Sequence, residues 1–318
     1  FQFESSGMRG VLMQLGPESL EDLIAVISLY RPGPMDSIPR YIQNRHNPSL
    51  VTYLHPSLEP ILKVTYGCMV YQEQIMQIFR SLAGYTLGRA DIVRRAMSKK
   101  KKDVMERERR IFVHGLTDEN GNVIVEGCLK RGVDEKSAMA IVSEMESFAS
   151  YAFNKPHAAS YAYVSYQTAF LKCHYPREFM AALLTSVLDN TNKVSEYIAE
   201  CQRLNIQVLP PHVNESDAGF TVSGGNIRFG LLAGRNIGRN FVASLLEERK
   251  HGKFRSYYDF CSRMFGTDLN RRTLESLIKC GALDRLGANR RQMLYSAEEL
   301  LADLDATRRK NLEGQISL

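Results

Sequence analysis

The residues with the clearest chemical potential lie between Arg89 and Arg110. Ten basic side chains (Arg89, Arg94, Arg95, Lys99 to Lys102, Arg107, Arg109, Arg110) face four acids (Asp91, Asp103, Glu106, Glu108), so the local excess of +6 equals that of the whole chain. If 92–102 is helical, Arg95, Ser98, Lys99 and Lys102 fall on one face at i, i+3, i+4 and i+7, collecting guanidinium, hydroxyl and ammonium donors where a polyphosphate could be held. The plain alternative is a solvated basic surface. Against it stand the adjacent Arg94-Arg95 pair and the apolar Ile92, Val93 and Met97, which tie the run to a core.

A second group runs from Phe153-Asn154-Lys155-Pro156-His157 into a helical stretch, where His157, Tyr161, Ser165, Thr168 and Lys172 share a polar face flanked by the small Ala158, Ala162 and Ala169. An aromatic, polar stripe with small neighbours suits stacking against a base or sugar. On spacing alone, an ordinary helix interface with a satisfied histidine is the better account. A third group, Leu231 to Ala243, reads as two short helices joined by a tight hairpin, with a fainter copy through Ile278 to Leu283 and Gly287 to Arg290. Backbone N–H groups at the start of the second helix point outward, where DNA phosphate can accept them. Asn236 stands at the first hairpin glycine and tolerates the left-handed region.

The elements that must position these groups are mostly helical. Leu20, Leu23, Ile24 and Ile27 predict a helix starting at Pro17 and stopped by Arg31-Pro32-Gly33-Pro34. Similar stripes predict helices over 71–82 and over 134–148, the latter capped by Asp134, and another starting near Asn192. Asn120-Gly121 before Val123 to Val125, and Phe220 to Phe229 around Gly224-Gly225, predict short hairpins. Val208 to Pro211 reads as an extended connector, and from Arg291 onward the chain is a charged helix. The expected fold is mainly α: a helical domain over 1–210, a helix-hairpin-helix region over 211–290, a helical tail over 291–318, and a few short β-hairpins.

With 318 residues, 44% of them hydrophobic, there is ample material for a core. The six cysteines show neither disulfide nor zinc spacing, which fits reduced thiols in a cytoplasm. No apolar run nears the ~20 residues that span a bilayer, and no leader is visible. The ends, at Phe1 and Leu318, look cut from a longer chain.

Taken in order, Phe1 to Met8, Tyr30 to Met35, Thr65-Tyr66-Gly67, Tyr71 to Gln74, Arg94 to Lys101, Phe153-Asn154-Lys155, His157-Ala158-Ala159 and Ser165 to Thr168 closely resemble the bacterial replicative DNA polymerase III alpha family over essentially the whole chain. The resemblance implies a fingers domain over 1–210 followed by the helix-hairpin-helix region. It implies that Arg94 and Arg95 hold the triphosphate of the incoming dNTP, with Lys99, Lys100, Lys101 and Lys155 nearby, and that His157 meets the sugar. Phe153 and Tyr161 would line the nascent base pair, and Asn236, Ile237, Gly238 and Arg239 would hold primer-template DNA. Gln315, Ile316, Ser317 and Leu318 would begin a motif for the sliding clamp, one of the replisome partners. Two departures touch the neighbours of these residues: Pro156 stands where the family usually has serine, and Ser98 where it has glycine.

Nucleotidyl transfer needs carboxylates that hold two metal ions. In this family those acids, and the Mg2+ they bind, belong to a palm upstream of Phe1, so no cofactor is expected in this stretch and it is expected to be inactive alone. The close pairs Asp303 with Asp305 and Glu144 with Glu146 sit in expected helices, where i and i+2 side chains point apart. A free-standing helix-hairpin-helix DNA-binding adaptor is the competing reading; an unassigned nucleotide-dependent enzyme is a third.

Overall fold

Short polar side chains set where the helices begin. Ser5 accepts a hydrogen bond from the Met8 amide and opens α1 (Ser6–Leu15), while Ser19 and Asp22 form a reciprocal capping box at the start of α2 (Leu20–Leu29). The helix expected from Pro17 therefore starts three residues later. The structure is a computed structural model that describes residues 1–99, 102–149 and 151–316, without the side chains at 98, 102, 103 and 310–316. It divides into two compact units, Phe1–Thr168 and Ala169–Leu318. Pro210 and Pro211, where the sequence suggests a domain boundary, lie inside the second.

In the first unit, α3 (Ile38–His46) and the short α4 (Glu59–Leu62) lead to α5 (Gln72–Ala83), α6 (Leu87–Ser98) and α7 (Lys102–His114). Strands β1 (Leu116–Thr117) and β2 (Val123–Val125) pair antiparallel, with Leu116 opposite Val125. Asp118 gathers the turn by accepting from the amides of Asn120 and Asn122, at 2.9 and 2.8 Å. Then come α8 (Glu135–Ala149) and α9 (Lys155–His174), the latter belonging to this unit as far as Thr168. One core surrounds the edge-on pair Phe79 and Phe112, with Ile75, Ile78, Ile141 and Val142. A second is built on α1, α2 and α3 around Tyr41 and Tyr71, and takes in Ala158 and Ala162.

In the second unit, α10 (Pro176–Ser186) and α11 (Thr191–Arg203) pack with a three-stranded sheet through Met180, Leu184, Cys201, Phe220 and Ile227. The segment expected as a connector forms strand β3 (Val208–Leu209). It lies parallel to β5 (Asn226–Arg228), which also pairs antiparallel with β4 (Thr221–Ser223) across the expected Gly224-Gly225 turn. Helices α12 (Arg239–Arg249), α13 (Tyr257–Met264), α14 (Arg271–Lys279) and α15 (Arg290–Ile316) share a core of Phe241, Leu245, Phe260, Leu274, Leu277 and Ile278. The protein is thus mainly α-helical.

Candidate nucleotide and nucleic-acid site

The expected continuous helix over 92–102 does not form. Helix α6 ends at Ser98, with Lys99 as its C-cap, and α7 starts at Lys102; Lys100 and Lys101 lie outside the described residues. Arg95, Lys99 and Lys102 therefore do not share one helix. Ala90, Val93 and Met97 bury the inner face of α6, whereas Ile92, expected to help anchor it, is 69% exposed because it lies off that i, i+3, i+7 row.

The two adjacent arginines differ sharply. Arg94 is 13% exposed and places Nη2 2.8 Å and Nε 3.1 Å from Asp91 Oδ1; Arg95 is 69% exposed and places Nη2 2.7 Å from Asp91 Oδ2. One carboxylate thus serves both guanidiniums. The hydrogen bond from Arg94, with that from Arg95, holds the Asp91 carboxyl below its ordinary range, so it is ionised at neutral pH. This spacing of i, i+3 and i+4 was readable in the sequence. Behind it, buried Glu108 of α7 accepts from Arg89 Nη2 at 2.8 Å and Tyr85 Oη at 3.0 Å, joining α7 to α6.

The start of α9 is fixed from three sides. Asn154 caps it by accepting from the His157 amide at 3.0 Å, and Glu73 accepts from Asn154 Nδ2 at 3.0 Å and the Lys155 amide at 3.2 Å. Phe153 bridges to Tyr71, donating to Val70 O at 3.1 Å while its carbonyl accepts from Gln72 at 2.9 Å. Pro156 is harmless here, in a first turn that needs no amide. From this start an aromatic row runs along the helix: Phe153 to His157 with ring centroids 5.6 Å apart, His157 to Tyr161 at 4.6 Å, and Tyr161 stacked on Phe1 at 5.5 Å. The Arg31 guanidinium lies 4.7 Å from the Phe153 centroid. Its turn requires Gly33, whose φ is +103° and whose added Cβ would come within 2.4 Å of the Tyr151 ring.

Three expected residues of this helix play another part. Ala158 and Ala162 are buried in the chain's own core, so they offer no open flank, and Ser165 is buried with its hydroxyl donating to Tyr161 O at 2.7 Å. Of the row of rings, His157 is exposed, while Phe153 and Tyr161 are half-buried against the core. Phe153, His157 and Tyr161 are brought together, and Arg31 and Phe1 join them. Both came from motifs to which the sequence assigned no role. Arg94 and Arg95 are set by the other core, through α6.

In the second unit, the helix expected before the hairpin is a single 3-10 turn, Leu231–Ala233. Asn236 adopts φ +60° as expected, donates from Nδ2 to Ser276 Oγ at 3.3 Å, and its carbonyl accepts from Thr273 Oγ1 at 3.1 Å. Ile237 is buried in the helical core. Gly238 precedes α12 with no side chain to cap it, so the first amides of α12 open onto a broad depression lined by Gly234, Asn236, Arg239, Asn240, Asn270 and Thr273. Arg235 and Arg239 are exposed and form no ion pair among the described residues. The fainter second copy behaves differently: Asn289 and Gln292 cap the start of α15 reciprocally, at 2.9 and 3.1 Å, and satisfy the amides that a phosphate would need.

No three His, Cys, Asp or Glu side chains converge on a metal position among the described residues. Glu144 and Glu146 diverge to Arg40 and Arg109, and Asp305 pairs with Arg309 at 2.7 Å. No helix among the described residues is long and apolar enough to cross a membrane. Ser317 and Leu318 lie outside the described residues, as do the side chains of Gln315 and Ile316.

Residues 1–120 match the bacterial DNA polymerase III alpha subunit finger domain, and residues 205–293 match the helix-hairpin-helix motif. Over its whole length the chain is 46% identical to DNA polymerase III subunit alpha of Xylella fastidiosa, and also 46% identical to that of Thermus aquaticus. The chain belongs to the DNA polymerase III alpha family. The protein of that name from Escherichia coli K12 is 42% identical, again over all of the chain. The chain spans about a quarter of the length of these curated relatives, 26% of the first two and 27% of the last. Both family matches coincide with the groups built above: the α6 arginines fall in the finger match, and the α12 hairpin falls in the helix-hairpin-helix match.

Proposed function

We propose that this chain serves a replicative DNA-directed DNA polymerase by holding the incoming dNTP and the primer-template duplex. Arg94 and Arg95, with Lys99, Lys100, Lys101 and Lys155, neutralise the triphosphate; His157 meets the sugar; Phe153 and Tyr161 lie against the nascent base pair. Asn236 to Arg239 hold the duplex backbone through the open amides of α12 and the Arg239 guanidinium. The observation that carries this reading is the presence in one chain of a donor-rich finger helix and an uncapped hairpin helix beside exposed arginines, each inside its matching family segment.

Phosphoryl chemistry in such a polymerase is supplied by Mg2+ held on palm carboxylates, and this chain's own part is to bind and orient. By itself it binds DNA and incorporates nothing. Gln315 to Leu318 begin a contact with the sliding clamp, and the setting is the cytoplasm. Fluorescence anisotropy with a labelled primer-template, followed by primer extension with Mg2+ and dNTPs, tests the reading. Expected are binding that weakens steeply with salt and an unextended primer. Robust extension would contradict it, and DNA binding without any affinity for polyphosphate would favour the adaptor instead.

A further inference from the structure

We propose that Thr273 is a positioning residue for the α12 hairpin: its buried hydroxyl holds the Asn236 carbonyl and so aims the open amides of α12 at duplex phosphate. This rests on the reading of that hairpin as a contact for the DNA backbone. The hairpin needs a constraint from outside itself. Asn236 stands at φ +60°, a backbone conformation that a residue other than glycine keeps only where its surroundings enforce it. Gly238, which leads into α12, has no side chain to limit its own torsions. Only Ile237 lies between them.

The constraint comes from α14. Thr273 is 4% exposed and sits in the first turn of that helix, where its amide donates to Asn270 Oδ1 at 3.0 Å; Leu274, Leu277 and Ile278 anchor the same helix in the core. Its Oγ1 donates to the Asn236 carbonyl at 3.1 Å. The peptide unit joining Asn236 to Ile237 is thereby held at both ends, because the Ile237 amide donates to Gly234 O at 3.3 Å. A hydroxyl has one proton, so Thr273 cannot give it to Asn236 and to a phosphate together, and its effect on DNA passes through the hairpin. Backbone freedom removed before the duplex arrives is not lost again on binding.

Anisotropy titrations of a labelled primer-template with the full 318-residue chain, at several salt concentrations and beside thermal unfolding of each variant, test this. Thr273→Val keeps the shape and removes the hydroxyl; Thr273→Ser keeps the hydroxyl. Expected is roughly fivefold weaker binding by Thr273→Val, with the salt slope of the unaltered chain because no charge is lost, and unchanged binding by Thr273→Ser. A merely structural role would lower the unfolding midpoint and leave the affinity of the folded chain alone. Equal affinity for Thr273→Val below its unfolding transition therefore overturns the assignment. So does a roughly fivefold loss in folded Thr273→Ser, which still carries the hydroxyl. Should Thr273→Val lose helix content by circular dichroism, Thr273→Ala removes the same hydroxyl and is read by the same two outcomes. If the unaltered chain does not bind the duplex, or Arg239→Ala and Arg239→Pro both bind it equally well, the hairpin reading itself fails and takes the role of Thr273 with it. Weaker binding by those two variants, with unchanged binding by Thr273→Val, removes only Thr273.

Discussion

Lys155 and Glu21, separated by 134 positions, form an ion pair in which Nζ lies 2.9 Å from Oε2 and 3.0 Å from Oε1. The pair ties the first turn of α9 to the first turn of α2, and the ammonium also lies 5.2 Å from the centroid of the buried Tyr71 ring. Both partners keep access to solvent, at 31% and 43% exposure. Such pairs contribute at most about 1 kcal/mol, so Lys155 can exchange its carboxylate for another anion at small cost. Glu21→Gln is therefore expected to lower stability by less than about 1 kcal/mol in urea denaturation. A loss of several kcal/mol would make the pair a fixed strut and remove Lys155 from the phosphate-binding set.

Two carboxylates of α7 should behave very differently. Glu108 is buried and receives both Arg89 and Tyr85, whereas Glu106 pairs with Arg110 at the surface, where both side chains are more than 70% exposed. Glu108→Ala leaves a partly buried guanidinium and a buried hydroxyl without their acceptor and is expected to cost about 3 kcal/mol. Glu106→Ala should cost under about 0.5 kcal/mol. Equal midpoints in a chemical denaturation series would refute the distinction.

Acid should remove the stability that Asp22 contributes. Burial pushes its carboxyl up, but the Glu18 amide, the Arg45 guanidinium and the Ser19 amide together bring it below its ordinary value of 3.8. A folded value below the unfolded one adds stability that is fully present above the unfolded value and lost as pH falls through the folded one. Asp22→Asn is accordingly expected to cost about 2 kcal/mol at neutral pH, with the gap closing as pH drops below about 3.9. Melting curves of both chains from neutral pH downward check this; a gap that stays constant would assign the effect to shape instead of charge.

Much of the helical frame was legible because apolar spacing is local. The stripes of α5, α8 and α11 and the Asp134 cap stand in the sequence, and Asn236 takes the left-handed backbone its place in the hairpin suggests. Helix α1 was missed although Met8, Val11, Leu12 and Leu15 recur at helical spacing, because Gly7 and Gly10 dilute the pattern. Strand β3 was read only as extended, since its pairing with β5 depends on partners nineteen residues away. The site was less legible for the same reason. Spacing on α9 groups Ser165 with His157, but which side of a helix is covered depends on the cores it meets, and those were assembled from α1, α2 and α3. Exposure separated Arg94 from Arg95 where sequence treated them alike.

The central claim, that the α12 hairpin grips DNA through both backbone and side chain, can be tested at one position. Arg239 is the first residue of α12, and Gly238 before it has φ −83° and ψ 158°, the extended conformation that a following proline demands. Arg239→Ala and Arg239→Pro both remove the guanidinium, but only the proline also removes the amide, at a helix position where proline is well tolerated. Anisotropy titrations of a labelled primer-template at several salt concentrations should show Arg239→Ala binding more weakly and with a salt slope lower by about one. Arg239→Pro should bind roughly fivefold weaker again, with the slope of the alanine variant, as expected for one further neutral hydrogen bond to phosphate. Identical affinities for the unaltered chain and both variants would contradict the account.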